Sequence, residues 1–366
     1  MILPSPGSTL SPRALNRALL ARQGLLERSS APAAEMIERL VGMQAQVPSN
    51  PYVASWARLR DFDPQELSGL IAERGAVRAQ LMRSTIHLVS ARDALALHPL
   101  TAPVLARTFA GQAQFLRAMT AAGVGLGEVV AAGRELLEAT PRTRAELAAA
   151  LGPRWPRVAP ATLAQAVTFG SALVQVPPRG LWGESGAARW ALTARWLGAE
   201  PDPEPSIDAV VLRYLAAFGP ATASDVRTWS GFTGLRPVLE RLRPRLRSFR
   251  DELGRELLDV PGAPLPDPET PAPPRFLPEY DNLALSHADR SRLFSGQGPG
   301  PPYPTGTWIG SLFADGFYRA WWKITEQDGL AITGFTPSAR DPAGMEDEIA
   351  AEGERLVRLI RGPRSA

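Results

Sequence analysis

One order of local patterns passes three times along this chain: helical stretches, then a pair of short β-prone runs. In the first round Ser11-Pro12 opens a helix with Leu15, Leu19 and Leu20 on one face. Residues 35–41 and 50–60 read as further helices, and Asp63-Pro64 caps another start. The run Ala76–Leu81 leads into Thr85–Val89, whose β-branched residues suggest a strand. In the second round Thr143 with Glu146 three residues on is a helix start, 163–170 a helix, and 173–176 and 190–192 two strands. In the third, helices are expected over 208–218, from Thr222, and over 235–246, with a wing at 253–260. The fold class expected is mainly α with β (α+β). Three tandem winged-helix modules (9–120, 121–204 and 205–262) precede a proline-rich linker at 263–274. A C-terminal β-rich segment and terminal helix fill 275–366, with a strand at 319–324 and a helix at 346–360.

Composition removes several function classes. There is no cysteine, so disulfide frameworks, zinc fingers, iron–sulfur centres and thiol nucleophiles are excluded. Three histidines, His87, His98 and His287, are too few for a His-rich metal centre, and no metal or organic cofactor is implied. No apolar run of about 18 residues exists, and the N-terminus lacks a secretory pattern; a cytoplasmic monomer with no membrane association is the expectation. No phosphate-binding Gly-Lys-Ser/Thr loop or dinucleotide fingerprint is present. Net charge is only +3, and Lys323 is the single lysine, so arginine supplies the other 39 basic residues. A GC-rich genome produces such a bias. Yet seven arginines against two acids fall between Asp225 and Arg250, a basic element suited to nucleic acid.

Four stretches carry a resemblance: GMQAQ at 42–46, LMRSTIHLV at 81–89, FGPATASDVRTWSG at 218–231 and FLPEYDNLALSHADR at 276–290, with GSLFADGFYRAWW at 310–322 as a fifth. In this order, over about residues 10–360, they resemble the tandem winged-helix proteins typified by the AlkZ-like DNA glycosylases. The resemblance implies three winged-helix modules around a concave, DNA-sized channel and hydrolysis of N-glycosidic bonds in alkylated double-stranded DNA. It also implies a signature of Gln, an apolar residue, then Gln or Asp, which here reads Gln44-Ala45-Gln46. The Gln-x-Gln form resembles the branch associated with self-resistance to genotoxic natural products; the Gln-x-Asp form resembles the broader crosslink-unhooking branch.

The chemistry is intelligible from the residue type. Glycosidases usually pair an acid that protonates the leaving group with a base that activates water. Amides do not titrate and can do neither. A guanine alkylated at N7 already carries positive charge and leaves without protonation. What remains is to place a water and stabilise an oxocarbenium-like transition state, which amide oxygens and dipoles can do. Placed after an apolar helix (Met36–Met43), Gln44 and Gln46 are expected at a frayed helix end where both face one substrate. With no lysine near the signature, a monofunctional enzyme without lyase chemistry is expected.

Other residues admit two readings. Strand alternation would put Arg83, Thr85 and His87 on one face, either lining a DNA channel or forming a hairpin with a buried histidine. Arg241, Arg243, Arg245 and Arg247 would lie on a phosphate-binding recognition helix, or on a solvated face. Asp281, Asn282, His287 and Arg290 read as loop-fixing residues. Trp321 and Trp322 read as core, and 295–306 as a hairpin tip or plain loop. A non-catalytic winged-helix transcription regulator is the alternative from another class; it predicts sequence-specific DNA binding independent of the glutamines.

Overall fold

The structure is a computed structural model, and it describes residues 7–294, 310–325, 329–333 and 344–361. The stretch 295–306 and part of the acidic run from residue 336 lie outside these residues. The architecture is mixed α and β, as expected, and local chemistry sets its boundaries. Ser11 accepts from the Ala14 N–H at 3.2 Å and starts helix Pro12–Arg22. Thr143/Glu146 and Thr222/Asp225 are reciprocal capping boxes opening helices Arg144–Leu151 and Ala223–Ser230. Helix Leu235–Leu242 stops four residues short of the expected end. Pro244 sits in the tight turn Arg243–Arg245, and the chain then enters strand Arg247–Asp251. The arginine run is therefore divided among helix, turn and strand.

Three sheets organise the chain. The largest runs in the order Met43–Gln44, Ile86–Ser90, Ala76–Gln80, Leu173–Val176, Arg189–Leu192, Arg142–Thr143, with every neighbour antiparallel. Hairpins from the first and second rounds of the sequence are thus one continuous sheet, joined where Arg78 faces Gln175 and Ala79 faces Val174. A second sheet places Thr9–Leu10 parallel to Arg247–Asp251, which pairs with Glu256–Asp259. The third joins Arg275–Leu277, Gly310–Ala314, Phe317–Thr325 and Gly329–Thr333. Trp322 is fully buried there and donates its indole N–H to the Leu277 carbonyl at 3.0 Å; Trp321 is also buried.

Helix Pro12–Arg22 ties these parts together. Arg22 makes a bidentate pair with Asp259 at 2.6 and 2.8 Å, and Arg13 pairs with Asp315 at 2.6 Å. Asn16 donates to the carbonyls of Arg292 and Gly316. The proline-rich stretch after residue 260 lies against the same helix. Leu265 and Ala272 are buried, and Arg17 donates to the Thr270 carbonyl at 2.6 Å. Among the described residues no single helix is long and apolar enough to cross a membrane.

Candidate functional site

The Gln44 backbone is a sheet edge, not a helix end. Helix Ala33–Arg39 stops early because Val41 and Gly42 take positive φ, 53° and 95°. Met43–Gln44 then pairs with Leu88 and His87. A Cβ on Gly42 would lie 2.6 Å from Val89 Cγ1, so this position tolerates only glycine. Ala45 is fully buried, its N–H donating to the Ile86 carbonyl at 2.7 Å, so the middle residue of Gln-x-Gln packs into the core. Gly42→Ala is expected to cost about 1–3 kcal/mol of stability, which denaturant titration measures.

Gln44 is 8% exposed and is held from two sides. Its backbone N–H donates to Asn282 Oδ1 at 3.3 Å, while Asn282 Nδ2 donates to the Gly42 carbonyl at 2.6 Å. Its side-chain oxygen accepts from Arg83 Nη2 at 2.6 Å. Arginine has no acceptor, so this contact fixes which amide end faces it. Arg83 also donates to the Trp229 carbonyl and approaches His87 Nε2 at 3.5 Å. Burial lowers its pKa to about 10, which leaves it charged at neutral pH.

His87 is buried. Its Nδ1–H donates to the Thr85 carbonyl at 3.0 Å, leaving Nε2 as the acceptor facing Arg83. Burial and the Arg83 charge push its pKa down to about 3, so the ring is neutral and too weak a base to activate water at neutral pH. Alternation does not place Arg83, Thr85 and His87 on one strand face. Arg83 and Ser84 lie in a tight turn with φ of 52° and 59°, and the strand begins only at Ile86. The turn instead swings Arg83 back onto His87 and Gln44, while the Thr85 hydroxyl bonds the Met82 carbonyl at 3.2 Å.

Gln46 lies past the strand end and is exposed. Its side-chain oxygen accepts from the Ile86 N–H at 3.2 Å. It forms the rim of a cleft of about 470 Å³ between the first and second hairpins, with Gln80, Gln175, Phe169 and Trp190 in the walls. Gln44, opposite His87, belongs to the other side of the sheet edge from Ile86 and Gln80. The two glutamines thus bracket the same end of one sheet without touching.

The remaining candidates are elsewhere. Arg241 donates to Asp208 at 2.9 Å, and Arg243 to Glu256 at 2.8 Å and Glu240 at 3.1 Å. These pairs are exposed, and such pairs are weak enough to be exchanged for phosphate. Arg245 is exposed on the turn, and Arg247 lies over the Phe249 ring at 4.9 Å.

The 276–290 stretch supports the site from behind. Arg58 and Asp281 form a fully buried bidentate pair at 2.9 and 2.6 Å, and Asp281 Oδ1 also caps the turn carrying Asn282 by accepting from the Leu283 N–H at 2.8 Å. Asp281→Ala strands the Arg58 cation and is expected to cost about 3–5 kcal/mol. Adding Arg58→Met should recover part of that loss. A denaturation midpoint unmoved by Asp281→Ala would show that the pair is dispensable.

Arg78, Gln80 and Gln175 add buried polar side chains beside the site; the one sequence sign of them is two polar residues, Arg78 and Gln80, on the same face of a strand.

Known proteins resemble this chain over nearly its whole length. The curated interstrand DNA cross-link repair glycosylase of Streptomyces sahachiroi is 24% identical over 369 residues, spanning 94% of this chain and 96% of that protein. The solved structure of Streptomyces sahachiroi DNA glycosylase AlkZ superposes with a TM-score of 0.75 at 21% identity, covering 97% of both chains. That likeness establishes the fold. The family model for DNA glycosylase AlkZ-like proteins matches residues 37–359, from the helix before Gln44 to the last turns of the terminal helix, and on that match the chain belongs to the AlkZ-like DNA glycosylase family.

Proposed function

We propose that the chain is a monofunctional glycosylase that hydrolyses the N-glycosidic bond of N7-alkylated purines in duplex DNA, including bulky natural-product adducts and interstrand crosslinks. Gln46 places the water from the cleft rim, and Gln44, held by Arg83 on the other side of the same sheet end, turns its amide dipole toward the transition state. The observation that carries this reading is the chemistry of the site's walls. Among the described residues no carboxylate lines the cleft or bonds either glutamine, and the adjacent histidine is neutral. An acid–base pair of the usual glycosidase kind is therefore missing from these residues. A cationic N7-alkylated purine needs no proton to leave, so amides suffice for it and for little else.

Each amide oxygen already accepts one hydrogen bond, from Arg83 or from Ile86 N–H, and keeps a second lone pair for water. The Arg83 contact also polarises the Gln44 amide and holds it still, which preorganises the dipole. Lys323 lies in the C-terminal sheet, so no lysine stands ready to form a Schiff base with the abasic sugar. The relative from Streptomyces sahachiroi, named for cross-link repair, supports the extension to crosslinks.

The test is base release from duplexes carrying N7-methylguanine or uracil, with alkaline cleavage revealing abasic sites. Release from the first and none from the second is expected. Robust uracil release would contradict an amide-only site. Sequence-specific binding of undamaged duplex without any base release would overturn the enzymatic reading.

A further inference from the structure

The cleft beyond Gln46 holds a cation that no acid meets among the described residues. Arg144 is the first residue of helix Arg144–Leu151, where the helix dipole already disfavours positive charge. Its guanidinium lies over the Trp190 ring, 5.6 Å from the centroid, and lines the cleft. Desolvation there lowers its pKa, with no neighbouring charge to offset it. Glu146, two residues on, is occupied by the Thr143 N–H at 2.7 Å and by Arg189 at 3.0 Å. The buried walls add donors. Arg78 and Gln175 are cross-strand partners where the two hairpins join, and Arg78 donates from Nε and Nη2 to Gln175 Oε1 at 3.3 and 3.2 Å. Arginine can only donate, so the Gln175 amide keeps its oxygen toward Arg78 and leaves its NH2 for the cleft. Gln175 is itself only 7% exposed. Trp190, opposite Gln175 in the next strand, has a buried indole N–H without a partner. Gln80 Oε1 is the one buried amide acceptor left over in these walls.

We infer that this cleft grips a backbone phosphate of the damaged strand beside the lesion, with Arg144 as its charge partner and the Gln175 NH2 as a further donor. Arg144 is then a positioning residue for base release. The inference rests on the glycosylase reading above and names the part of the substrate that the cleft holds. A positive wall without a carboxylate repels a cationic purine and attracts a phosphodiester. The Arg78 cation bears on the Gln175 amide and strengthens its N–H donors. The cleft lies on the sheet face away from Gln44 and opens at Gln46, so a strand crossing this sheet end brings its sugar to the glutamines and a neighbouring phosphate to Arg144. Its volume, about 470 Å³, admits the phosphate with parts of the sugars on either side. A grip on the backbone leaves the base in the duplex, so a purine tied to the opposite strand is held as well as a free one.

The test uses a duplex whose N7-methylguanine carries a 2′-fluoro sugar, which keeps the base from leaving while binding is measured. One phosphate at a time, from two positions 5′ of the lesion to two positions 3′ of it, is replaced by a neutral methylphosphonate. Wild type is expected to lose affinity about tenfold at one of these positions. Arg144→Gln should bind the unmodified duplex about tenfold more weakly, lose nothing further at that position, and lower the slope of log affinity against log salt by about one. Arg144→Lys should restore most of the affinity. The melting temperature of Arg144→Gln should hold or rise, because a cation leaves a helix N-terminus. Equal losses in wild type and Arg144→Gln at every position, or wild-type affinity in folded Arg144→Gln, overturns the assignment. Base release from the same duplex with an ordinary sugar is measured separately on wild type. Release without any position-specific loss overturns the phosphate site alone. No release with the position-specific loss intact overturns the glycosylase reading and leaves the cleft as a phosphate site.

Discussion

Mild acid should unfold this protein, with a midpoint between about pH 4 and 5.5. All three histidines are buried and neutral. Burial and neighbouring arginine charge push His87 and His287 down to about 3, and burial alone pushes His98 down to about 4, from an ordinary 6.5. Each is held by bonds that suit the neutral ring. His98 Nε2 meets the Thr193 hydroxyl at 2.9 Å, and His287 bridges the Ser286 hydroxyl and the Phe218 carbonyl, both at 3.0 Å. The folded pKa values lie below the unfolded one, so between these limits the unfolded chain binds more protons. Stability is fully present above pH 6.5 and is lost as pH falls toward 4. Three such groups give a slope of about 4 kcal/mol per pH unit, against a total stability of about 5–15 kcal/mol. Circular dichroism from pH 7 to 4 measures it; a native spectrum and an undiminished melting temperature at pH 4 would contradict the buried neutral histidines.

Gln44→Ala combined with Gln46→Ala should reduce N7-methylguanine release by roughly a hundredfold to a thousandfold, the scale of removing a preorganised transition-state dipole. Neither change touches the packing that Ala45 provides, so undamaged-duplex binding should be nearly unaffected. The single mutants should differ in a way the geometry dictates. Gln46 is exposed at the cleft rim, and its loss removes one contact to water. Loss of Gln44 also removes one of the acceptors that hold Arg83, leaving a buried cation under-bonded, so Gln44→Ala should lower the melting temperature where Gln46→Ala does not. Base release in the double mutant within threefold of wild type would remove the glutamines from the chemistry.

Much of the fold was legible because its signals are local. Ser11, Asp63, Thr143 and Thr222 cap the helices they appeared to cap, and the hairpins at 76–90 and 173–192 follow from β-branched runs. The site was only half legible. The local pattern puts Gln44 at a helix end, although Gly42, whose positive φ helps end the helix, stands two positions before it. Arg83 was placed on a strand because nothing at Arg83-Ser84 announces a left-handed turn; neither residue is glycine or asparagine, and tertiary contacts to Gln44 and Trp229 hold the conformation. The arginine run was read as one helix despite Pro244. The pairing of Arg78 with Gln175 spans 97 residues, and no local pattern encodes a contact of that range.

The central proposal is that two untitratable amides do the work, and the pH dependence of the chemical step tests it most directly. Single-turnover release of N7-methylguanine from a duplex would be followed from pH 6.5 to 8, where the protein is folded. A flat profile is expected, since His87 stays neutral throughout and neither glutamine titrates. A break in that range, abolished by replacing one ionisable side chain, would show that a general acid or base carries the reaction and that the amide mechanism is wrong.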